Sequence, residues 1–249
     1  MKIRWQARNR QIKSLFPPLN PYSAINTDLY ELTSGVGLKL FAEICENPDL
    51  LKCWLIHDAY FREFPAVDEK RGDMYGYVIQ SGVGPLVDFL INAHFTKDDV
   101  AYLKSLPPFI NGYRDSKGAI LDRFLDWGFT GDLEAIPEGM PVTPFIPLVR
   151  ISGNPVDTHI AETMTLLCLN TGTALSTKAR RVTYHARGLP VIDMSFRRMV
   201  AGVGGTAEIV RALALGGFSG TSHVQAAKML GLRPVGTHPH SWIMFFGSD

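Results

Sequence analysis

The chemistry-bearing residues of this chain gather near its end. Residues 216–241 read GGFSGTSHVQAAKMLGLRPVGTHPHS, a glycine-rich turn with Thr221 and Ser222, a helical pattern, and then His238 and His240. In a turn that opens a helix the first backbone N–H groups lack helical partners, so the amides of the turn from Gly217 to Ser222 favour a carboxylate or phosphate in front of them. The same glycine and hydroxyl pattern also ends a strand and caps a helix where no ligand binds. His238 and His240, two apart, share one face if they lie on a strand, which suits a metal pair, although no third ligand stands at a clear spacing.

The elements that position these residues follow from periodicity. Residues 212–218 form an apolar run ending at glycine, which predicts a buried strand feeding a tight turn. Thr221 or Ser222 can cap the helix that follows. Val224, Ala227, Met229 and Leu230 recur at helical spacing, and Gly231 with Pro234 supplies the stop. A strand carrying Val235, Thr237 and His240 is expected next.

Upstream, Leu29, Leu32, Val36, Leu40 and Ile44 fall on one face of a helix over residues 28–44, which places Tyr30 near its start. Short apolar segments alternate with turn-rich ones over residues 51–132. Residues 136–151 read as strands punctuated by Pro137, Pro141, Pro144 and Pro147. This pattern predicts an α+β domain over residues 21–157. Beyond Gly153 and Pro155 a long helical stretch gives way to strand and helix alternation, the βα pattern of a parallel sheet, so a second domain is expected over residues 158–249. Residues 1–20 hold Lys2, Arg4, Arg8, Arg10 and Lys13 with no acidic residue and read as a basic flexible tail.

Composition narrows the function classes. The chain has 249 residues, a formal net charge of +1 and 46% hydrophobic residues, an ordinary globular balance without the basic excess of a nucleic-acid binder. Three cysteines without CxxC spacing, Cys45, Cys53 and Cys168, suggest neither a disulfide framework nor a zinc ribbon. No apolar run is long enough to span a bilayer and no signal-peptide core is visible, so a cytoplasmic location is expected.

Several segments in order resemble the nicotinate phosphoribosyltransferases. TDLYELT (residues 27–33) is similar to the family's N-terminal signature. ETMTLLCLNTGTALSTKARRV (residues 162–182) resembles its central helix pair, and VIDMSFRRM (residues 191–199) its first barrel strand. GGFSGTSHV (residues 216–224) and GTHPHS (residues 236–241) follow, while residues 95–109 and 129–153 resemble the amino-terminal domain. The resemblance implies an α/β fold, with an α+β N-terminal domain followed by part of an incomplete, TIM-like α/β barrel. It implies transfer of phosphoribosyl from phosphoribosyl pyrophosphate to nicotinate in NAD synthesis, coupled to ATP with Mg²⁺, in a homodimer or with a complementing second half.

The resemblance also implies roles. Tyr30, acting across a dimer interface, and Met194 would flank the pyridine ring, and Arg197 would contact base or phosphate through a planar fork suited to either. Gly220, Thr221 and Ser222 would face the substrate. A nicotinamide-selective relative has aspartate where Ser222 stands, and serine removes a charge that would repel a substrate carboxylate. His240 matches the histidine that accepts a phosphoryl group from ATP. Met194 stands where the family usually has phenylalanine, Ser195 where it has glycine, and His223 where asparagine is common. The chain ends a few residues after His240, whereas the family continues through further strands and the acidic and glycine-rich loops for phosphoribosyl pyrophosphate. The alternative reading is therefore a catalytically inactive fragment or remnant that serves as a dimer or interaction partner.

Overall fold

The computed structural model describes residues 19–62, 76–111 and 119–247. The basic residues 2–13 lie outside them. The first helix, α1 (Leu29–Ile44), occupies the expected place. Leu32 and Val36 are buried on its inner face, while Leu29 and Ile44 at its two ends are exposed, so the apolar stripe is covered only along its middle.

A three-stranded antiparallel sheet forms the centre of the first half. It consists of β1 (Leu55–Ala59), β3 (Asp132–Ala135) and β5 (Val149–Gly153) in the order β1-β5-β3. The two-residue strands β2 (Val78–Ile79) and β4 (Pro141–Val142) pair separately. In β5 the residues alternate: Val149 and Ile151 point inward, and Arg150 between them reaches its cross-strand partner Asp58 through two bonds of 2.7 and 2.9 Å. The intervening chain is mostly helical: α2 (Val83–Asn92), α3 (Lys97–Ser105), α4 (Pro107–Asn111) and α5 (Ala119–Asp122). Thr96 and Asp99 start α3 with a reciprocal capping box.

One helix replaces the expected helix pair. α6 (Pro155–His185) runs unbroken for 31 residues, opened by Asn154, whose side chain accepts from the amides of Val156 and Asp157, and by Pro155 in the first turn. The boundary expected near Asp157 lies in that first turn. Two apolar cores meet on this helix. Ile160 packs with Leu32, Val36, Phe95, Leu103 and Phe124, whereas Ala161 and Leu169 pack with Leu86, Phe89, Val149 and Ile151. Asp157, almost fully buried, accepts from the Trp127 indole (2.9 Å) and from the amide and hydroxyl of Thr130 (2.9 and 2.7 Å), which locks the start of α6 to the segment before β3.

The remainder is a small parallel sheet, β6 (Ile192–Asp193), β7 (Gly220–Thr221) and β8 (Arg233–Pro234), in sequential order. The crossovers are α7 (Thr206–Leu215) and α8 (Val224–Leu230), followed by α9 (His240–Phe246). Two successive βα units on an open parallel sheet are part of an α/β barrel, and among the described residues the sheet does not close.

The expected strand over residues 212–218 is instead the end of α7 and the turn after it. Ala212 of this run and Val210 before it are buried on one face of α7, which lies against α6. At this crossing a Cβ on Gly216 would overlap Ala179 and the Ser176 carbonyl, so glycine is required by proximity. A short run of small and apolar residues does not distinguish strand from buried helix, and here tertiary packing decides.

Candidate functional site

The site is built on the ends of β6 and β7. Asp193, buried at the tip of β6, receives the amide and hydroxyl of Ser195 on Oδ1 (2.9 and 2.5 Å) and the Thr221 hydroxyl on Oδ2 (2.8 Å). Its own carbonyl accepts from the Ser222 amide at 2.8 Å. One carboxylate therefore fixes where Met194 and Ser222 leave their strands. Beyond it, a turn of 3₁₀ helix, Phe196–Arg198, projects Phe196 and Arg197.

These side chains face a cleft of about 860 Å³, whose lining includes Met194, Phe196, Arg197, Ser222, His238 and His240. Arg197 gives it a positive charge, and none of the lining residues is acidic. Phe196 presents one face of its ring while the other stacks on His223, with centroids 3.9 Å apart and planes 21° from parallel. His223 is buried. Its Nε2 lies 3.0 Å from the Thr206 hydroxyl, and its Nδ1 accepts a long contact of 3.5 Å from the Ala226 amide. That arrangement places the ring proton on Nε2, donated to Thr206.

Four of the expected site residues, Met194, Arg197, Ser222 and His240, thus share one cleft. The other three do not line it. Gly220 and Thr221 are buried in β7, paired with both neighbouring strands. Tyr30 is exposed on α1, and its hydroxyl donates to Glu162 at 3.3 Å. Glu31, burial and the charge of Glu162 hold its phenol well above the usual range.

Three local expectations are corrected. The N-cap of α8 is His223 rather than Thr221 or Ser222. The amides of the preceding turn are not left for a ligand: those of Gly217 and Phe218 bond back to the Ala214 and Leu213 carbonyls at the end of α7, and those of Ser219 and Ser222 bond to the Val191 and Asp193 carbonyls beside β6. His240 opens α9 and is not on a strand, so the two histidines do not share a strand face; β8 ends at Pro234, with one further bond from the Val235 amide to Thr221. The sequence alone assigned no role to Asp193, Phe196 or His223, and weighed His238 only as one of a metal pair. The signal available for Asp193 was its place at the head of the strand motif, whereas the Phe196–His223 stack joins residues 27 positions apart and has no local signature.

The chain is 30% identical over 230 residues to a nicotinate phosphoribosyltransferase of Mycobacterium tuberculosis, covering 91% of this chain and 44% of that protein. A nicotinate phosphoribosyltransferase of Arabidopsis thaliana is 31% identical over 237 residues, covering 93% of this chain and 38% of the relative. Over nearly its whole length the chain is similar in sequence to nicotinate phosphoribosyltransferases. It spans less than half the length of these relatives. In fold it is similar to the crystal structure of human nicotinic acid phosphoribosyltransferase, with a TM-score of 0.72 and 24% identity over 88% of this chain and 40% of that one. A nicotinate-nucleotide pyrophosphorylase from Pyrococcus furiosus aligns with a TM-score of 0.65 and 22% identity, over 94% of this chain and 48% of that one. No family model matches the chain.

Against this family background, the donor set of the cleft is informative. Mg²⁺ takes carboxylate, phosphate and water oxygens. The cleft lining of this nicotinate phosphoribosyltransferase relative supplies no carboxylate, and Asp193 already uses both oxygens within the sheet tip. These residues therefore do not fit a protein-held magnesium ion. A second cavity of about 590 Å³ beside α6 is lined mainly by apolar side chains such as Leu148, Leu166 and Leu169 and offers no cation for a phosphate. Cys168 is no nucleophile: burial foremost, and the charge of Glu208, push its thiol up to about 11. Among the described residues no helix is long and apolar enough to cross a membrane.

Proposed function

We propose that this chain carries the base- and phosphate-facing part of a cytoplasmic nicotinate phosphoribosyltransferase, which joins nicotinate to the phosphoribosyl group of phosphoribosyl pyrophosphate with ATP hydrolysis coupled through His240. The carrying observation is that Met194, Arg197, Ser222 and His240, distant in sequence, line one cleft free of carboxylates. In such a transfer the ribose C1 becomes cationic as pyrophosphate departs, so catalysis rests on holding anions and orienting a flat base. Arg197 offers a guanidinium fork to the carboxylate or a phosphate. Ser222, neutral and half-buried, tolerates the negative charge of nicotinate. Phe196, with His223 behind it, and Met194 offer the apolar wall for the pyridine ring. Tyr30, outside this cleft, would serve the cleft of a second copy in a homodimer, and strands from a second copy or a complementing half would complete the phosphoribosyl pyrophosphate site.

The lack of carboxylates in the cleft lining also supports a second reading, in which the chain binds nicotinate and a partner without turnover. An assay of nicotinate mononucleotide formation with nicotinate, phosphoribosyl pyrophosphate, ATP and magnesium separates the two. The first reading expects product whose coupling to ATP disappears in His240→Ala while nicotinate binding persists. It also expects Ser222→Asp to weaken nicotinate relative to nicotinamide by about 10-fold or more. Nicotinate binding without product in a folded chain supports the second reading, and indifference of binding to both Arg197→Ala and Ser222→Asp overturns the site.

A further inference from the structure

A second cluster of ionisable groups lies away from the cleft, where α1, α6 and β1 meet. Glu31, in the first turn of α1, is fully buried. Its Oε2 lies 2.8 Å from Nδ1 of His159, but its Oε1 is buried with no hydrogen-bond partner. A buried carboxylate oxygen without a donor is costly, and it marks a position built for a cation or a further donor. His159 and Glu162, three apart on α6, share a helix face. Glu162 turns Oε2 toward Nδ1 of His57 on β1, at 3.7 Å, and takes the single hydroxyl hydrogen of Tyr30 on Oε1. The His57 and His159 rings meet edge to face with centroids 5.8 Å apart.

We propose that Glu31, His159 and Glu162 bind a divalent transition-metal ion, with His57 as a fourth donor. One donor atom from each of the three already lies within 4.8 Å of the others. Ligand atoms around a zinc ion, each about 2.0–2.2 Å from the metal, sit roughly 3–4 Å apart, so closure requires movements on the order of 0.5 Å. His57 and Glu162 also line a cavity of about 270 Å³ with Thr158 and Thr165, which leaves room beside them for an ion and its water ligands. Imidazole nitrogens with carboxylate oxygens suit Zn²⁺ and its first-row neighbours, whereas Mg²⁺ prefers an all-oxygen shell. The ion would satisfy the orphaned oxygen of Glu31 and tie α1 to α6 beside Tyr30. The site stands independently of the activity proposed above.

Zn²⁺ titration of the chelator-stripped chain tests this, read by calorimetry and by thermal unfolding. One equivalent should bind saturably, Mg²⁺ should not compete at tenfold excess, and Zn²⁺ should raise the unfolding temperature. Glu31→Gln and His159→Gln should each weaken Zn²⁺ binding by about 10-fold or more and abolish the thermal shift. Should Glu31→Gln fail to fold, His159→Gln carries the test, because that side chain is partly exposed. Co²⁺ substitution should give visible absorption that disappears in the same variant. Lack of saturable binding by the folded chain, competition by Mg²⁺, or binding unchanged in His159→Gln would overturn the proposal; the last would place the ion elsewhere, for example at His238 and His240.

Discussion

Phe196 gains its meaning only in the fold. Within VIDMSFRRM it reads as an apolar residue beside two arginines, yet its ring forms part of the cleft wall and is backed by a buried histidine. Met194 places a flexible thioether two residues from an aromatic ring held in place by stacking. An aromatic face of this kind contributes about 0.5–1.5 kcal/mol beyond its buried area. Phe196→Ala should therefore weaken nicotinate binding about 3- to 10-fold by calorimetry. His223→Asn, which retains a capping side chain but removes the stacked ring, should weaken it less. A larger loss from Met194→Ala with no effect of Phe196→Ala would assign the wall to Met194. Met194, Arg197 and Ser222 were readable because each stands within a few positions of a strand end, whereas His240 opens a helix. The stack was not, because it depends on how α8 sits against the 3₁₀ turn.

Between elements, the informative contact is Glu138 with Arg211. Glu138, in the turn before β4, accepts from the amides of Gly82 and Val83 at the start of α2 (both 2.8 Å) and forms an ion pair with Arg211 on α7. Burial pushes its carboxyl up, but the bond and charge of Arg211, with the amides of Gly84 and Gly82, outweigh burial and hold it below the usual carboxylate range. A carboxyl depressed in the folded state stabilises at pH values above its unfolded value, and that contribution is lost as pH falls through the folded value. Glu138→Gln should destabilise the chain by roughly 2–3 kcal/mol at neutral pH, because Arg211 keeps its desolvation cost without a partner. The difference from wild type, measured by urea unfolding, should shrink as the pH falls below the ordinary glutamate range. A constant difference as the pH falls would show that shape, not charge, is what Gln disturbs. The helices α1 and α8 were readable from spacing and from the glycine stop at Gly231, which adopts the left-handed conformation (φ 65°). The two-residue strands were not: such short pairings are set by what they pack on, and the run that ends α7 carries no period of its own.

At the scale of the whole molecule, much apolar surface is uncovered. α9 buries none of its residues, and Met244 and Phe245 are 80% and 83% exposed, with Trp242 and Ile243 beside them. A contiguous patch of this kind promotes association. Sedimentation should show concentration-dependent self-association, and Met244→Glu with Phe245→Glu should shift the chain toward monomer; identical profiles would mean that α9 contributes nothing to it. The α+β to βα order was legible from the change in pattern after Gly153, but the single helix joining the two parts was not, since a helix pair and one long helix share the same periodicity. That helix has a mechanical consequence. At about 1.5 Å per residue, 31 residues make a rod of roughly 46 Å, with its first turn clamped through Asp157 and its far end bearing on α7. A tilt of about 5° at the clamp would carry the far end sideways by roughly 4 Å over that length. The bonds from Trp127 and Thr130 therefore act as the bearing of a lever. Loosening them would misalign a cleft they do not touch, as a change of aim at the pivot displaces the tip.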